Sequence, residues 1–329
     1  MALTQAQKII VERAQAAGGG ALGIGLSDEA CVFLVSIIAH DLGIETILPK
    51  GTVQQTLFDE QNPENMIISD VELYPLIEQL FHAKPDADTY FACLAALQKS
   101  RLKYNRILQN QPLPTMEQVG PRALLQYGQM SPTALAGFLL WRKWLFDIDN
   151  RAGQETGYLF EPIIAHAIGG VPFSASKSPV RRHNDSIKGR QVDCIRQKHA
   201  YEIKIRVTQA ASGQGRWREE LDFPIDCRES GYIPVLIVLD STPNAKLDEL
   251  IAAFETAGGK TYVGDLAWQH LEDAAGKTMS LFIEKYVRVP ISQILAASTD
   301  KLPAIEFKMN SDKFSVTVGG EVNEFPRTQ

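Results

Sequence analysis

Two carboxylates and an amine, Asp193, Glu202 and Lys204, lie within twelve residues of one another in "QVDCIRQKHAYEIKIRVT". The chain around them is basic. Residues 177–218 hold eleven Lys or Arg against three acids, a local charge of +8 in a chain of net charge −6, so the remainder sums to −14. Soluble surfaces intersperse both signs, so a one-signed segment asks for an explanation: a solvated basic loop, which is the commoner case, or contact with an oppositely charged partner. If "AYEIKIRVT" is a strand, its side chains alternate between faces. Glu202, Lys204 and Arg206 share one face; Tyr201, Ile203, Ile205 and Val207 share an apolar one. A turn at 197–199 would pair this strand with "QVDCIRQ" and bring Asp193 alongside. Neighbouring strands sit about 4.8 Å apart, close enough for Asp193 and Glu202 to ligate one divalent ion. Oxygen-only ligation favours Mg²⁺, with Mn²⁺ as a substitute. Such an ion lowers the pKa of a bound water and offsets charge on a phosphorane-like transition state. Lys204 would orient or help deprotonate that water, and the ion's own charge would favour a neutral amine there.

By itself an acid-x-Lys triplet says little. With 39 acids and 17 Lys in 329 residues, about two are expected by chance, and two occur: Glu202–Lys204 and Glu306–Lys308. Context separates them. Only 21 residues follow Lys308, too few for the helix and strand that should complete a core, and its surroundings are not basic. The Glu306 triplet is therefore read as surface strand. The Glu202 triplet has a helix before it, a hairpin partner carrying Asp193, and a helix and an apolar strand after it.

The elements that must position these groups fall into two textures. Residues 2–17, 27–42, 71–81, 86–108 and 131–146 carry apolar residues at three and four spacing, predicting helices, with Ser27 and Ser131 as N-caps. The segments 49–65 and 109–127 read as loops. After Asn150 come helical "YLFEPIIAHAIGG", where Pro162 puts a start or a kink, the two strands above and a helix over 216–229. "IPVLIVLD" follows as a doubly buried strand, "NAKLDELIAAFETAGG" as a helix with a glycine stop, and "KTYVGDLA" as a short strand. The expected fold is α/β: a helical region over 1–150, then a sheet covered by helices over 151–329. "GGGALG" at 18–23 matches GxGxxG, but a helix rather than a strand precedes it, so no nucleotide cofactor is implied. Four dispersed cysteines exclude a disulfide framework and structural zinc. The apolar runs are too short to span a membrane and the N-terminus is no signal peptide, which predicts a soluble, cytoplasmic protein.

A helix acid at Glu161, then Asp193, then Glu202-Ile203-Lys204 on an αβββαβ order resembles the PD-(D/E)xK nuclease fold, with Val192 where the motif's Pro would stand. More narrowly, "VDCIRQKHAYEIKIRVTQAASGQGRWREEL" is similar to type II restriction endonucleases of the ApaLI-like family. The resemblance covers 153–265 and is sharpest over 192–221. It implies that Asp193 and Glu202 are metal ligands, Lys204 the catalytic lysine and Glu161 the helix acid holding the metal's waters, with Glu155 a competitor for that role. It further implies Mg²⁺-dependent hydrolysis of double-stranded DNA to 5′-phosphates. Beside such a site the basic run Lys177, Arg181, Arg182, Lys188 and Arg190 suits phosphate contact, and Arg206 joins it from the active strand. In "SGQGRW", Gln214 and Arg216 could read a purine edge, or the stretch could be a helix cap with a packed Trp217. Cutting both strands of a palindrome calls for two sites on a twofold axis, hence a homodimer, to which the N-terminal helices would lend contacts or wrap the DNA. The rival readings are a repair, resolving or modification-dependent nuclease of the same fold, a DNA-binding protein with a degenerate core, and an unrelated α/β protein with a chance triplet.

Overall fold

The computed structural model describes residues 2–18, 22–58, 62–84, 86–205, 207, 214–297 and 303–328, with backbone alone at 214–216. Its first part is helical: α1 (Gln5–Gln15), α2 (Asp28–Asp41), α3 (Leu73–Ala83), α4 (Ala87–Asn110), the single turn α5 (Met116–Val119) and α6 (Pro132–Ala167). Thr4, Ser27 and Ser131 cap α1, α2 and α6 by accepting backbone N–H bonds, so these starts follow from their sequence. Helix α2 is buried all round from Cys31 to Ala39, as an uninterrupted apolar helix must be. The segments read as loops contain short turns, a 3₁₀ turn Pro63–Asn65 and a 3₁₀ run Gly120–Gln126 beside α5.

The helix expected over 131–146 continues to Ala167, through residue 150 and through Pro162. An interior proline removes one helical hydrogen bond and costs about 3 kcal/mol in an isolated helix. Here the following turn buries Ile163, Ile164, Ala165 and Ala167, which offsets that loss. The change of texture at 150 thus falls inside one helix. Val11, Phe33 and Tyr90 from the helical part share one apolar cluster with Ile164, Tyr201 and Ile237.

Past α6 the strands are β1 (Val171–Phe173), β2 (Arg181–Arg182), β3 (Asp185–Gly189), β4 (Val192–Arg196) and β5 (His199–Lys204). Then follow α7 (Gln214–Glu229), β6 (Ile233–Val238), α8 (Ala245–Thr256), β7 (Lys260–Val263) and α9 (Asp265–Ile283). The main sheet has the order β1-β4-β5-β6-β7. Its first three strands are antiparallel; β6 and β7 join in parallel through helical crossovers. Strands β2 and β3 form a separate ribbon. Tyr201, Ile203 and Ile237 pack on one face of the sheet, and Ala200, Leu236 and Val238 on the other against Phe223 and Phe254. In "KTYVGDLA" the strand stops at Val263, because Gly264, at φ 59° and ψ −126°, turns the chain into α9. A π-helical turn Glu284–Arg288 leads to α10 (Val289–Ala296). The chain closes with an antiparallel sheet of β8 (Ile305–Met309), β9 (Lys313–Val318) and β10 (Glu321–Pro326). Glu306 and Lys308 are exposed there and pair with each other at 3.2 Å. No helix among the described residues is long and apolar enough to cross a membrane.

Phe282 is fully buried and meets Tyr90 of α4 edge-on at 5.3 Å. Phe282→Ala is expected to lower stability by about 3–5 kcal/mol. Because the cluster spans both textures, urea unfolding followed by tryptophan fluorescence and by far-UV circular dichroism should shift by the same amount.

Candidate active site

The hairpin of β4 and β5 sets the geometry. It turns at Gln197 and Lys198, with Gln197 in the left-handed region at φ 56°. Cys194 pairs with Tyr201 and Ile195 with Ala200. One further step in that register sets Asp193 level with Glu202, their side chains on the face of Ala200. Asp193 is 8% exposed, and its Oδ2 accepts the Ile203 N–H at 2.8 Å. Two residues on, Lys204 Nζ lies 3.1 Å from Glu202 Oε1 and 3.3 Å from Glu220 Oε2 of α7.

These groups line a cleft of about 730 Å³ between α6 and α7. Glu161 reaches it from α6. Gly153, Thr156, Gly157 and Phe160 occupy the same helix face at three and four spacing, and the two glycines leave gaps between the side chains of that wall. Glu155 is turned to Lys103 instead, at 2.8 Å. The fold thus gathers Asp193, Glu202, Lys204 and Glu161, and leaves Glu155 out. Glu219 and Glu220 also line the cleft. Sequence reasoning missed them, although a run of acids in the helix after an acid-x-Lys strand is a usable signal.

Burial and the crowding of like charges together set the electrostatics. Burial first, then the charges of Glu202 and Glu161, push the Asp193 carboxyl well above its usual range, against the pull of the Ile203 N–H. Glu161 is raised by burial and by Glu202, with Lys204 opposing. Burial works against a charged Lys204, but Glu202, Glu220 and Asp193 outweigh it and hold the amine protonated. That is the opposite of the neutral amine a neighbouring cation would favour. Among the described residues no three His, Cys, Asp or Glu side chains are drawn together at metal-ligand spacing. Asp193 and Glu202 nevertheless form an oxygen-only donor pair in one cleft. That donor chemistry fits a hard divalent cation. The four cysteines are buried, and burial raises the thiols of Cys31, Cys93 and Cys194 to about 12, so none is a thiolate nucleophile.

The basic residues divide. Lys177, Arg181 and Lys188 are exposed, Lys188 in an ion pair with Asp185 at 3.0 Å. Arg182 pairs with Glu219 at 2.7 Å. Arg190 is only 7% exposed; its Nε lies 2.7 Å from Asp226 and its Nη2 donates to the Glu219 carbonyl. The guanidinium for which phosphate contact was expected is thus engaged with α7 at the wall of the cleft. Arg206 lies outside the described residues, as do the side chains of Gln214 and Arg216. In "SGQGRW" the tryptophan takes the packed alternative. Trp217 Nε1 donates to Glu249 at 3.0 Å and Lys246 stands 5.0 Å over its ring. Of "GGGALG", residues 19–21 lie outside the described residues, and the flanking elements are helices.

A profile of the ApaLI-like restriction endonuclease family matches residues 53–288, from before α3 to the π-helical turn. The chain belongs to that family. It is also 44% identical over 316 residues, 87% of this chain and 84% of the relative, to "Type II restriction enzyme ApaLI" of Acetobacter pasteurianus. No solved structure matches. The matched span includes the whole five-stranded sheet and the cleft, and leaves out β8–β10, so Glu306 and Lys308 fall outside the family profile.

A buried carboxyl with a raised pKa opposes folding once it ionises. Its penalty is absent below the ordinary carboxyl pKa and grows as pH rises through the raised one. Asp193→Asn keeps an acceptor for the Ile203 N–H and removes the charge. In EDTA at pH 8 its Tm should exceed that of the parent, and the difference should shrink as pH falls towards the ordinary carboxyl range. Differential scanning calorimetry across pH measures this.

Proposed function

We propose that this restriction endonuclease cleaves double-stranded DNA with a PD-(D/E)xK core that uses Mg²⁺, and that Mn²⁺ can replace it. One observation carries the assignment of residues: in a chain of this family, Asp193, Glu202, Lys204 and Glu161 converge on one cleft. The order α6, β1, β4, β5, α7, β6, with the β2–β3 ribbon inserted, supports this reading, because that core calls for a helix, three strands, a helix and a strand.

Asp193 and Glu202 would hold the cation, which when bound supplies positive charge to the scissile phosphate and acidifies water. Lys204 keeps its proton on Nζ and places an ammonium where negative charge develops on the phosphate, with Glu202 and Glu220 fixing its direction. Glu161 accepts a hydrogen bond from water on the α6 side. The attacking water gives up a proton to solvent through the water held by Glu161 and bonds to phosphorus; the P–O3′ bond breaks, O3′ takes a proton from solvent, and the phosphate stays on the 5′ end. The walls of α6 and α7 leave Lys204, Glu202 and Glu220 each about one-fifth exposed, which strengthens their interactions relative to bulk water. Lys177, Arg181 and Lys188 offer sequence-independent phosphate contacts.

Each chain carries one such cleft, so two copies would serve the two strands of a palindromic site. Residues 151–329 supply the nuclease core and its C-terminal extension. Residues 1–150 supply dimer contacts or wrap the duplex, and act on the core directly through the shared cluster and α6. The protein is assigned to the cytoplasm.

Incubation with a long plasmid of known sequence should give discrete fragments in Mg²⁺ and intact DNA in EDTA. Lys204→Ala should lower the rate by about 10²-fold or more, while still shifting DNA in Ca²⁺. Full cleavage by the variant would remove Lys204 from the mechanism.

A further inference from the structure

The ribbon of β2 and β3 is irregular. Arg181 pairs with Gly189 and Arg182 with Asp185, so consecutive residues of β2 face residues four apart on β3. Ser186, Ile187 and Lys188 have no counterpart and bulge outwards. Bulges re-aim side chains, and are frequent beside active sites. This one has a defined shape. The Ile187 N–H donates to Asp185 Oδ1 at 3.3 Å, Lys188 pairs with Asp185, and Arg181 Nη1 donates to the Ile187 carbonyl at 3.4 Å. At its crest Ile187 is 88% exposed, an aliphatic side chain held in water among charged neighbours.

Beneath the bulge the ribbon is fixed by buried charge. Asp226 of α7 is 1% exposed; its Oδ1 receives the His183 N–H at 2.7 Å and lies 2.6 Å from the His183 ring Nδ1, and its Oδ2 lies 2.7 Å from Arg190 Nε. The Arg181 N–H donates to Ser230 Oγ, and Arg182 reaches Glu219. A buried carboxylate is tolerated only when paired, so these contacts hold the ribbon to α7 in one position. Arg190 and Glu219 also line the catalytic cleft, which fixes the bulge relative to Asp193 and Glu202.

We propose that this bulge is a base-reading element. On the endonuclease reading above, on which this inference rests, the ribbon enters the major groove beside the cleft, a groove wide enough for two strands. Ile187 packs against base edges there and loses its exposure to water, Lys188 and Arg181 neutralise flanking phosphates, and Asp226 is the positioning residue that holds the reader in register with the scissile bond.

Plasmid fragments first define the site. Rates of cleavage are then measured on short duplexes carrying that site and each single base-pair change, for the parent, Ile187→Ala and Asp226→Asn. Ile187→Ala should lose about ten-fold of the parent's discrimination at a particular base pair and keep it elsewhere. Asp226→Asn should relax the same position, a coincidence that general loss of stability would not produce. Lys188→Ala should weaken binding evenly across all duplexes and reduce the salt slope by about one. Ile187 is exposed enough for truncation to leave Tm unchanged, so the decision rests on that variant even where Asp226→Asn unfolds. Discrimination identical to the parent's at every position overturns the inference and leaves the endonuclease reading intact. A parent protein that yields no discrete fragments in Mg²⁺ overturns both.

Discussion

Carboxylates crowded into one cleft repel one another, and the site is arranged around that repulsion. Glu161, Asp193, Glu202, Glu219 and Glu220 line the same space as Lys204 and Arg190, and Arg190 already serves Asp226. Burial raises Asp193 and Glu161 above their ordinary range and the neighbouring carboxylates raise them further, while those same carboxylates hold Lys204 as an ammonium. Left to itself such a cleft would repel phosphate. A divalent cation reverses the sign locally, so substrate binding and catalysis would depend on the same ion.

That concentration of charge is tolerable because the surrounding sheet is rigid. Strand β5 is paired on both sides, antiparallel with β4 and parallel with β6, and apolar clusters cover both of its faces. Each catalytic candidate on it projects from backbone that can scarcely move. The less regular β2–β3 ribbon lies beside the cleft, held there through Arg190 and Glu219.

Much of the site could be read in the sequence because strand alternation is strict. Glu202 and Lys204 must share a face once the segment is extended, and a short turn must return the chain to Asp193. The pairing of β4 with β5, the buried β6 and the caps of α2 and α6 followed from equally local rules. What was not legible depended on the third dimension. Choosing Glu161 over Glu155 needs the rotation of α6 about its axis. Arg190 reads like any other basic loop residue until Asp226, 36 positions later, is brought beneath it. The break in texture at residue 150 was real as composition, yet the helix crossed it, because apolar burial beyond Pro162 outweighs a missing hydrogen bond.

That unbroken helix has a mechanical consequence. Trp144, about a third of the way along α6, packs against Phe314 of the C-terminal sheet, and Glu161 sits 17 residues further along. At 1.5 Å per residue the separation is about 26 Å. A stiff rod of that length works as a lever: pivoting by about 2° at the tryptophan end would swing the far carboxylate by roughly 0.9 Å. Displacements of that size are enough to spoil a catalytic geometry. The small sheet at the end of the chain, outside the family profile, thus braces one end of the rod that carries one of the cleft's acids.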